Sequence, residues 1–571
     1  MKRIILVFIL ALFLRTIQIS KAPIGFNPDE ASFGYDAYTI LKTGADQWGK
    51  KFPLVLESFG DYKAPLYSYL AIPFVWINGL NPTSVRLPNA ILGSFAVLVF
   101  YFLIKEVFDY EERSGNSWFR ADFKSKKEFV ATLGAILFSI SPWHIAMSRG
   151  AFEANLTTFF IPLSLFLFFK YLNSKKPNFL YLSSLGFGLN LFTYHSAKLV
   201  TGLVMAALAL IFFKDVIRDK KTLAKSVFIF LVFLLLTAYT FLQGAGARLA
   251  DVSIYKLSLN QASVERIRAY NNGLPDAIAR AFHNKYQVFG KTGTSNYLSY
   301  LSPQFLFVRG AGEKTYGMSD DRGVLYWFEL PLLILFLRFL VKQKIGKSMG
   351  LFVFWFLVSP IPASLAIGPG FAANRAVVML PSVYLFLAIG AYELSKLKVD
   401  FVKFKLDQKY FILFYALLST VFVVSFLENY FFVAPSKIAK DMLSGNLESL
   451  KYVAGYDGQI VVSRKLSEPH IYVAFVNKTN PKDYQLNSKN WNFKEKGLGW
   501  VDQMGEYRLG NYLFKNIYYE EWKGKDVILI GKPEEFPENI IPIKKFATPS
   551  GEDLIYIVDT GSSYYAKESK D

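Results

Sequence analysis

The chain has 571 residues, 52% of them hydrophobic and 17% aromatic, with a mean hydropathy of +0.26, too apolar for a water-soluble globule of this length. Its formal charge of +19 lies in short runs between apolar segments, a pattern of membrane orientation that argues against a nucleic-acid partner. With no cysteine there is no disulfide framework, thiolate metal site or cysteine nucleophile, and the four histidines, His144, His195, His283 and His470, argue against a multi-histidine metal site.

Residues 1–22 open with a basic flank and an apolar run, and no small-x-small cleavage site follows. The segment therefore reads as a retained signal anchor with its N-terminus in the cytoplasm. Apolar segments of spanning length lie near 4–20, 88–105, 128–143, 155–172, 179–194, 199–213, 225–243, 323–341, 349–367, 374–395 and 410–427. The run "APLYSYLAIPFVWING" at 64–79 is ambiguous by length, and the charges decide it. If it does not cross, the basic connections (Lys124/Lys126/Lys127, Lys175/Lys176, Lys214 to Lys225, Lys342 to Lys347, Lys396 to Lys409) share the N-terminal side; if it crosses, all of them lie outside. We read 64–79 as a juxtamembrane or re-entrant helix and expect an α-helical polytopic membrane protein of about eleven spans.

That topology places residues 21–87, 244–322 and the tail outside a plasma (inner) membrane. The expected division is a helical catalytic domain over 1–429 and a small extracytoplasmic α/β domain over 430–571. In the tail the runs "QIVVS", "HIYVAFV", "DVILIG" and "DLIYIVD" read as strands between charged, Asn- and Gly-containing stretches. It is either a structural cap or an acceptor-recognition module. There is no internal repeat.

Under this topology the unusual polar residues fall at outer ends of spans: Asp29 and Glu30 in "GFNPDEASFGYDAY", Asp61 and Lys63 in "GDYKAPL", Arg86 in "SVRLP", His144, Arg149 and Glu153 in "SPWHIAMSRGAFEANL", His195 and Lys198 in "YHSAKL", and Arg375 in "GFAANRA". Ionisable groups at bilayer depth are costly, so converging ones mark a functional cavity. A long Lys or Arg can instead snorkel to the headgroups, which short acids do less well. Lys63, Arg86, Lys198 and Arg375 offer a cationic surround for a lipid phosphate, and His195, about one turn before Lys198, suits the same anion or a metal ion. Asp29 can accept a proton from an attacking hydroxyl. Glu30 shares the catalytic position, and Glu30 or Glu153 can orient an acceptor or bind a divalent ion, with Asp61 and Arg149 as further acceptor or metal candidates. The simpler account of "NPDE" is a helix start, with Asn27 as N-cap, Pro28 at the first position and acids in the first turn. "NYLSYLSPQFLF" and "GMSDDRGVLYWFELP" supply an aromatic wall or lid, where Asp320 and Asp321 are sugar contacts or a solvated turn.

An acidic pair after the first span, "YKAPLYSYL", "RLP" opening the next span and "SP…SR…E" at the outer end of the third together resemble the GT-C superfamily of integral membrane glycosyltransferases, in particular protein O-mannosyltransferases and the lipid A aminoarabinose transferase. The similarity covers residues 1 to about 200, weakens through 430 and says nothing of the tail. It implies that Asp29 is the catalytic acid of the first external loop, Lys63 the donor-phosphate lysine of a "KPPL"-like motif, Arg86 the arginine before the second span, and Glu153 an acceptor or metal contact. Tyr62 stands where relatives carry an acid or histidine, which removes one expected metal ligand, although Asp61 is adjacent. The implied activity is inverting transfer of a sugar from a polyprenyl-phosphate donor to a glycan, lipid or protein hydroxyl, with a divalent metal as the one candidate cofactor. The alternatives are an oligosaccharyltransferase or ligase using a diphosphate lipid donor and, with less support, a lipid-linked sugar transporter or flippase, whose polar residues belong near the midplane.

Overall fold

The computed structural model of the chain describes residues 2–115, 123–245, 253–343, 345–367, 371–396, 400–401, 404–405 and 408–561. The Lys396 to Lys409 connection, one of the basic runs that set the expected topology, falls partly outside the described residues.

The first four helices are α1 (Lys2–Thr16), α2 (Pro28–Thr43), α3 (Leu66–Asn78) and α4 (Pro82–Arg113). Among the described residues six helices are long and apolar enough to cross a membrane, or seven if the pair Lys124–Ser139 and Pro142–Ser148, bent by 56°, counts as one span. The expected count of eleven is not reached by this measure. Helices Lys2–Thr16, Pro177–Asn190, His195–Ile211 and Leu330–Lys342 occupy expected positions but have 15, 14, 17 and 13 residues. At about 1.5 Å per residue each is shorter than a bilayer core of about 30 Å. The 13-residue α3 is shorter still than its apolar run suggests, and it leaves Trp76 and Ile77 exposed.

Helix α4 orients the molecule. Its N-cap Asn81 accepts a hydrogen bond from Ser84 N at 3.1 Å, Pro82 takes the first position, and 32 residues carry it roughly 48 Å. At its C-terminal end Asp109 meets Lys127 at 2.6 Å, Glu111 accepts from Ser348 N at 2.8 Å, and Tyr110 donates to Asp215 at 3.3 Å. The basic connections near 127, 215 and 347 are thus gathered at one end, and Arg86 lies at the other.

Burial divides the chain into two large apolar cores. One joins the long helices. The other joins Phe26 to Val85 of the first inter-helix segment with Leu447 to Ile557 of the tail, so the tail is built onto that segment. Tyr35 OH donates to Thr479 O at 2.9 Å, Tyr472 OH donates to Phe26 O at 2.7 Å, and a Cβ on Gly34 would stand 2.7 Å from the Phe475 ring.

Residues 56–63 form a short antiparallel pair, β1 (Leu56–Glu57) and β2 (Tyr62–Lys63). The tail's sheet contains β3 (Gln459–Val462), β4 (Glu506–Leu509), β5 (Tyr512–Lys515), β6 (Val527–Gly531), β7 (Lys544–Ala547) and β8 (Asp553–Asp559), in the order β4-β5-β3-β6-β8-β7. Strand β3 runs parallel to both neighbours and the other pairs are antiparallel. Three of the expected strands are present; "HIYVAFV" is instead the helix Pro469–Val476. Pro469 starts it, and every residue from Pro469 to Phe475 is buried, so the run lacks the polar face that would have shown helical period.

Candidate active site

Helix α2 begins with a capping box: Glu30 N donates to Asn27 Oδ1 at 2.9 Å and Asn27 N donates to Glu30 Oε2 at 3.3 Å. The same Glu30 carboxylate takes Arg86 Nε at 2.8 Å and Nη2 at 2.9 Å, with Ala151 N donating at 2.9 Å. Both side chains are fully buried. Arg86 also donates to the carbonyls of Ile19, Pro23 and Gly25 at 3.1, 3.0 and 2.6 Å. Its five donors are thus engaged within the protein, and the expected residues Glu30 and Arg86 are tied to each other.

Asp29, one residue earlier, turns about 100° away around the helix. Its side chain is 48% exposed, and its Oδ1 lies 2.6 Å from Lys63 Nζ, which is 3% exposed. The lysine stands over the Phe33 and Phe59 rings at 4.9 Å each, so aromatic walls flank the charge that meets Asp29. These two expected residues are brought together.

The β2 strand that carries Lys63 is gripped from two sides. His195, the first residue of its helix, donates from Nε2 to Tyr62 O at 2.8 Å, which fixes the tautomer. From the tail, Val501 N donates to Phe59 O at 3.0 Å, Lys494 pairs with Glu57 at 2.5 Å, and Lys494 Nζ lies 3.1 Å from Tyr62 OH. At the turn Gly60 has φ +116°, and a Cβ there would stand 2.0 Å from Gly499 O. Only glycine fits so close an approach of backbone to backbone.

Asp29 shares its surroundings with polar groups that the sequence left unmarked, Tyr316, Tyr194 and Glu313. Tyr316 packs against Phe152 at 5.2 Å; burial raises its hydroxyl well above the usual phenol range, and Tyr194, Asp29, Glu313 and Glu153 push it further. The expected residue Glu153 thus faces the same space as Asp29. Arg375 comes within 3.6 Å of Glu313 and donates to Ile367 O at 2.8 Å. Lys198 Nζ lies over the Phe241 ring at 5.2 Å.

Other expected residues are used elsewhere. Arg149 is buried and donates to the carbonyls of Leu14, in the last turn of α1, and of Ile17 and Ala22 beyond it, which ties down the chain at the end of that helix. His144 is buried in the helical core, 2.7 Å from Arg15 Nη2 and 2.9 Å from Thr158 Oγ1. Asp61 Oδ1 accepts from Tyr62 N at 2.7 Å, and Asp320 and Asp321 pair with Lys314 and Lys437. Among the described residues one trio of His, Asp and Glu side chains brings ligand atoms within 4.8 Å: Glu468, His470 and Asp502 of the tail.

No protein-family model matches the chain, and no curated protein matches it. It is similar to two membrane glycosyltransferases of GT-C fold among solved structures. ArnT from Cupriavidus metallidurans, bound to undecaprenyl phosphate, is 10% identical over 97% of each chain with a TM-score of 0.49. The archaeal oligosaccharyltransferase AglB from Archaeoglobus fulgidus, in complex with an inhibitory peptide and a dolichol-phosphate, is 14% identical over 83% of this chain and 63% of that one, with a TM-score of 0.45. Likenesses of this size assign no function, and the site's own residues have to carry it.

Proposed function

We propose that the chain is a membrane glycosyltransferase that moves a sugar from a polyprenyl-phosphate donor to an acceptor hydroxyl on the extracytoplasmic face. The observation that carries this reading is the Asp29–Lys63 pair, a half-exposed carboxylate 2.6 Å from a buried ammonium. It lies at the end of α4 remote from the Lys-rich connections, where a lipid phosphate meets water.

In this mechanism Asp29 accepts the proton of the acceptor hydroxyl as its oxygen attacks the anomeric carbon. The carbon–oxygen bond to phosphate breaks, and polyprenyl phosphate leaves with the bonding pair. Lys63 stabilises the charge that grows on that phosphate, in a pocket whose aromatic walls limit water. Before the donor arrives Asp29 pairs with Lys63; the donor phosphate then takes the ammonium and leaves Asp29 facing the acceptor hydroxyl. His195 and the tail hold the strand on which Lys63 sits, and Arg375 is a second cation beside the Tyr316 cluster.

The test is transfer of labelled sugar in membranes containing wild type or Asp29→Asn at matched expression, across a panel of synthetic monophosphate and diphosphate lipid donors. Transfer from monophosphate donors that is lost in Asp29→Asn supports the reading. Turnover confined to diphosphate donors replaces it with oligosaccharyl transfer. Equal turnover in both proteins removes Asp29 as the base.

A further inference from the structure

We propose that Glu468, His470 and Asp502 form a binding site for a divalent first-row transition-metal ion, placed in the tail where it covers the Lys63 hairpin. The ligand atoms of the three lie within 4.8 Å of one another, and His470 Nδ1 is 3.8 Å from Glu468 Oε2. Ligands about 2.0–2.2 Å from a shared ion sit somewhat closer than that to each other, so a small inward movement closes the site. One imidazole nitrogen with two carboxylates is a donor set for zinc or manganese; magnesium and calcium favour oxygen alone.

The trio lacks what it would need without an ion. Glu468 Oε2 is buried with no hydrogen-bond partner, and Glu468 as a whole is 7% exposed. Among the described residues no lysine or arginine forms an ion pair with either carboxylate. The two nearby cations are engaged elsewhere: Arg464 donates to the carbonyls of Asp502 and Met504, and Lys63 meets Asp29. A buried and a half-buried acid beside a buried imidazole make a place that a positive charge between them would stabilise.

The surroundings are those of oriented ligands. Tyr507 OH donates to Asp502 Oδ1 at 2.7 Å and Glu468 N donates to Oδ2 at 2.5 Å, leaving each oxygen a lone pair. The imidazole is boxed by Phe59, Trp491 and Tyr507, with ring centroids 5.8, 5.0 and 5.6 Å away. His470 Nδ1 now lies 3.1 Å from Tyr507 OH; binding an ion takes that nitrogen's lone pair and leaves Tyr507 its bond to Asp502. Phe59 belongs to the β1–β2 turn, so the site sits directly behind the hairpin that presents Lys63. Three protein ligands leave a position for water or another ligand.

The experiment uses the full chain in detergent, stripped with a chelator and then given Zn²⁺, Mn²⁺ or Mg²⁺ singly, with bound metal and thermal midpoint as readouts. The expected result is one equivalent of Zn²⁺ or Mn²⁺ per chain and a higher midpoint. Both are lost in Asp502→Asn and in His470→Gln. Tyr507→Phe, which keeps every ligand, weakens binding by about 10–100-fold and serves if the ligand variants misfold. No stoichiometric binding to wild type overturns the proposal, as does binding that all three variants retain, or a preference for Mg²⁺.

Discussion

The Glu30 carboxylate is fully buried and accepts four hydrogen bonds, two from Arg86, one from Asn27 N and one from Ala151 N, whereas the Asp29 carboxylate next to it is 48% exposed and meets Lys63 Nζ at 2.6 Å. Helical rotation alone separates them, sending one acid into the junction of α1, α2 and α4 and the other to the mouth of the site. The cations differ in kind to match. Arg86 has five donors in a rigid fork and ties a carboxylate and three carbonyls into one frame, while Lys63 is a point charge free to exchange one anion for another. On the proposed function, the two adjacent ion pairs divide structure from chemistry.

Breaking the buried pair has the largest expected effect. Arg86→Met leaves Glu30 ionised and uncompensated and lowers stability by about 3–5 kcal/mol, read by unfolding in detergent. Adding Glu30→Leu to the same protein recovers most of that loss, because the burial of an isolated charge is gone. Gly60→Val comes next: with φ at +116° and Gly499 O at 2.0 Å from the new Cβ, the hairpin parts from the tail, seen as protease cleavage near residue 60 together with lost transfer. Asn27→Ala removes the N-cap of the helix that carries both acids and costs about 1 kcal/mol, a shift in midpoint with α2 still formed. Asp29→Asn takes the charged partner from the buried Lys63 but leaves an amide oxygen that can accept from it, so it costs less stability than Arg86→Met, and it has the largest effect on turnover.

Much of the helical part was legible because apolar length is a direct signal, and the expected spans are found as helices even where they run short. The tail was harder. "QIVV" and "DLIYIVD" read correctly as strands, but "HIYVAFV" carries the same β-branched and aromatic residues and is buried on all sides, so neither period shows. That the tail shares a core with residues 26–85 has no local signature, since contacts such as Tyr35 to Thr479 span 444 positions. Asp29 and Lys63, which the structure brings together, stood out by type and place, because a short acid and a cation flanking the first spans are costly there. Their neighbours did not: Glu30 looks identical to Asp29 until the helix is phased, and nothing in "MSRG" says that Arg149 closes the end of α1. Glu468 and His470 lie 34 and 32 residues before Asp502 in the sequence, a spacing that matches no metal motif.

The most direct test of this division sets Asp29→Asn beside Glu30→Gln, with transfer rate and thermal midpoint measured on the same preparations. The account predicts that Asp29→Asn lowers its midpoint less than Glu30→Gln does and loses transfer by about 100-fold or more. Glu30→Gln should lower the midpoint and lose transfer only in proportion to the fraction unfolded. A stable Glu30→Gln protein without activity, or an Asp29→Asn protein that transfers at the wild-type rate, would contradict it.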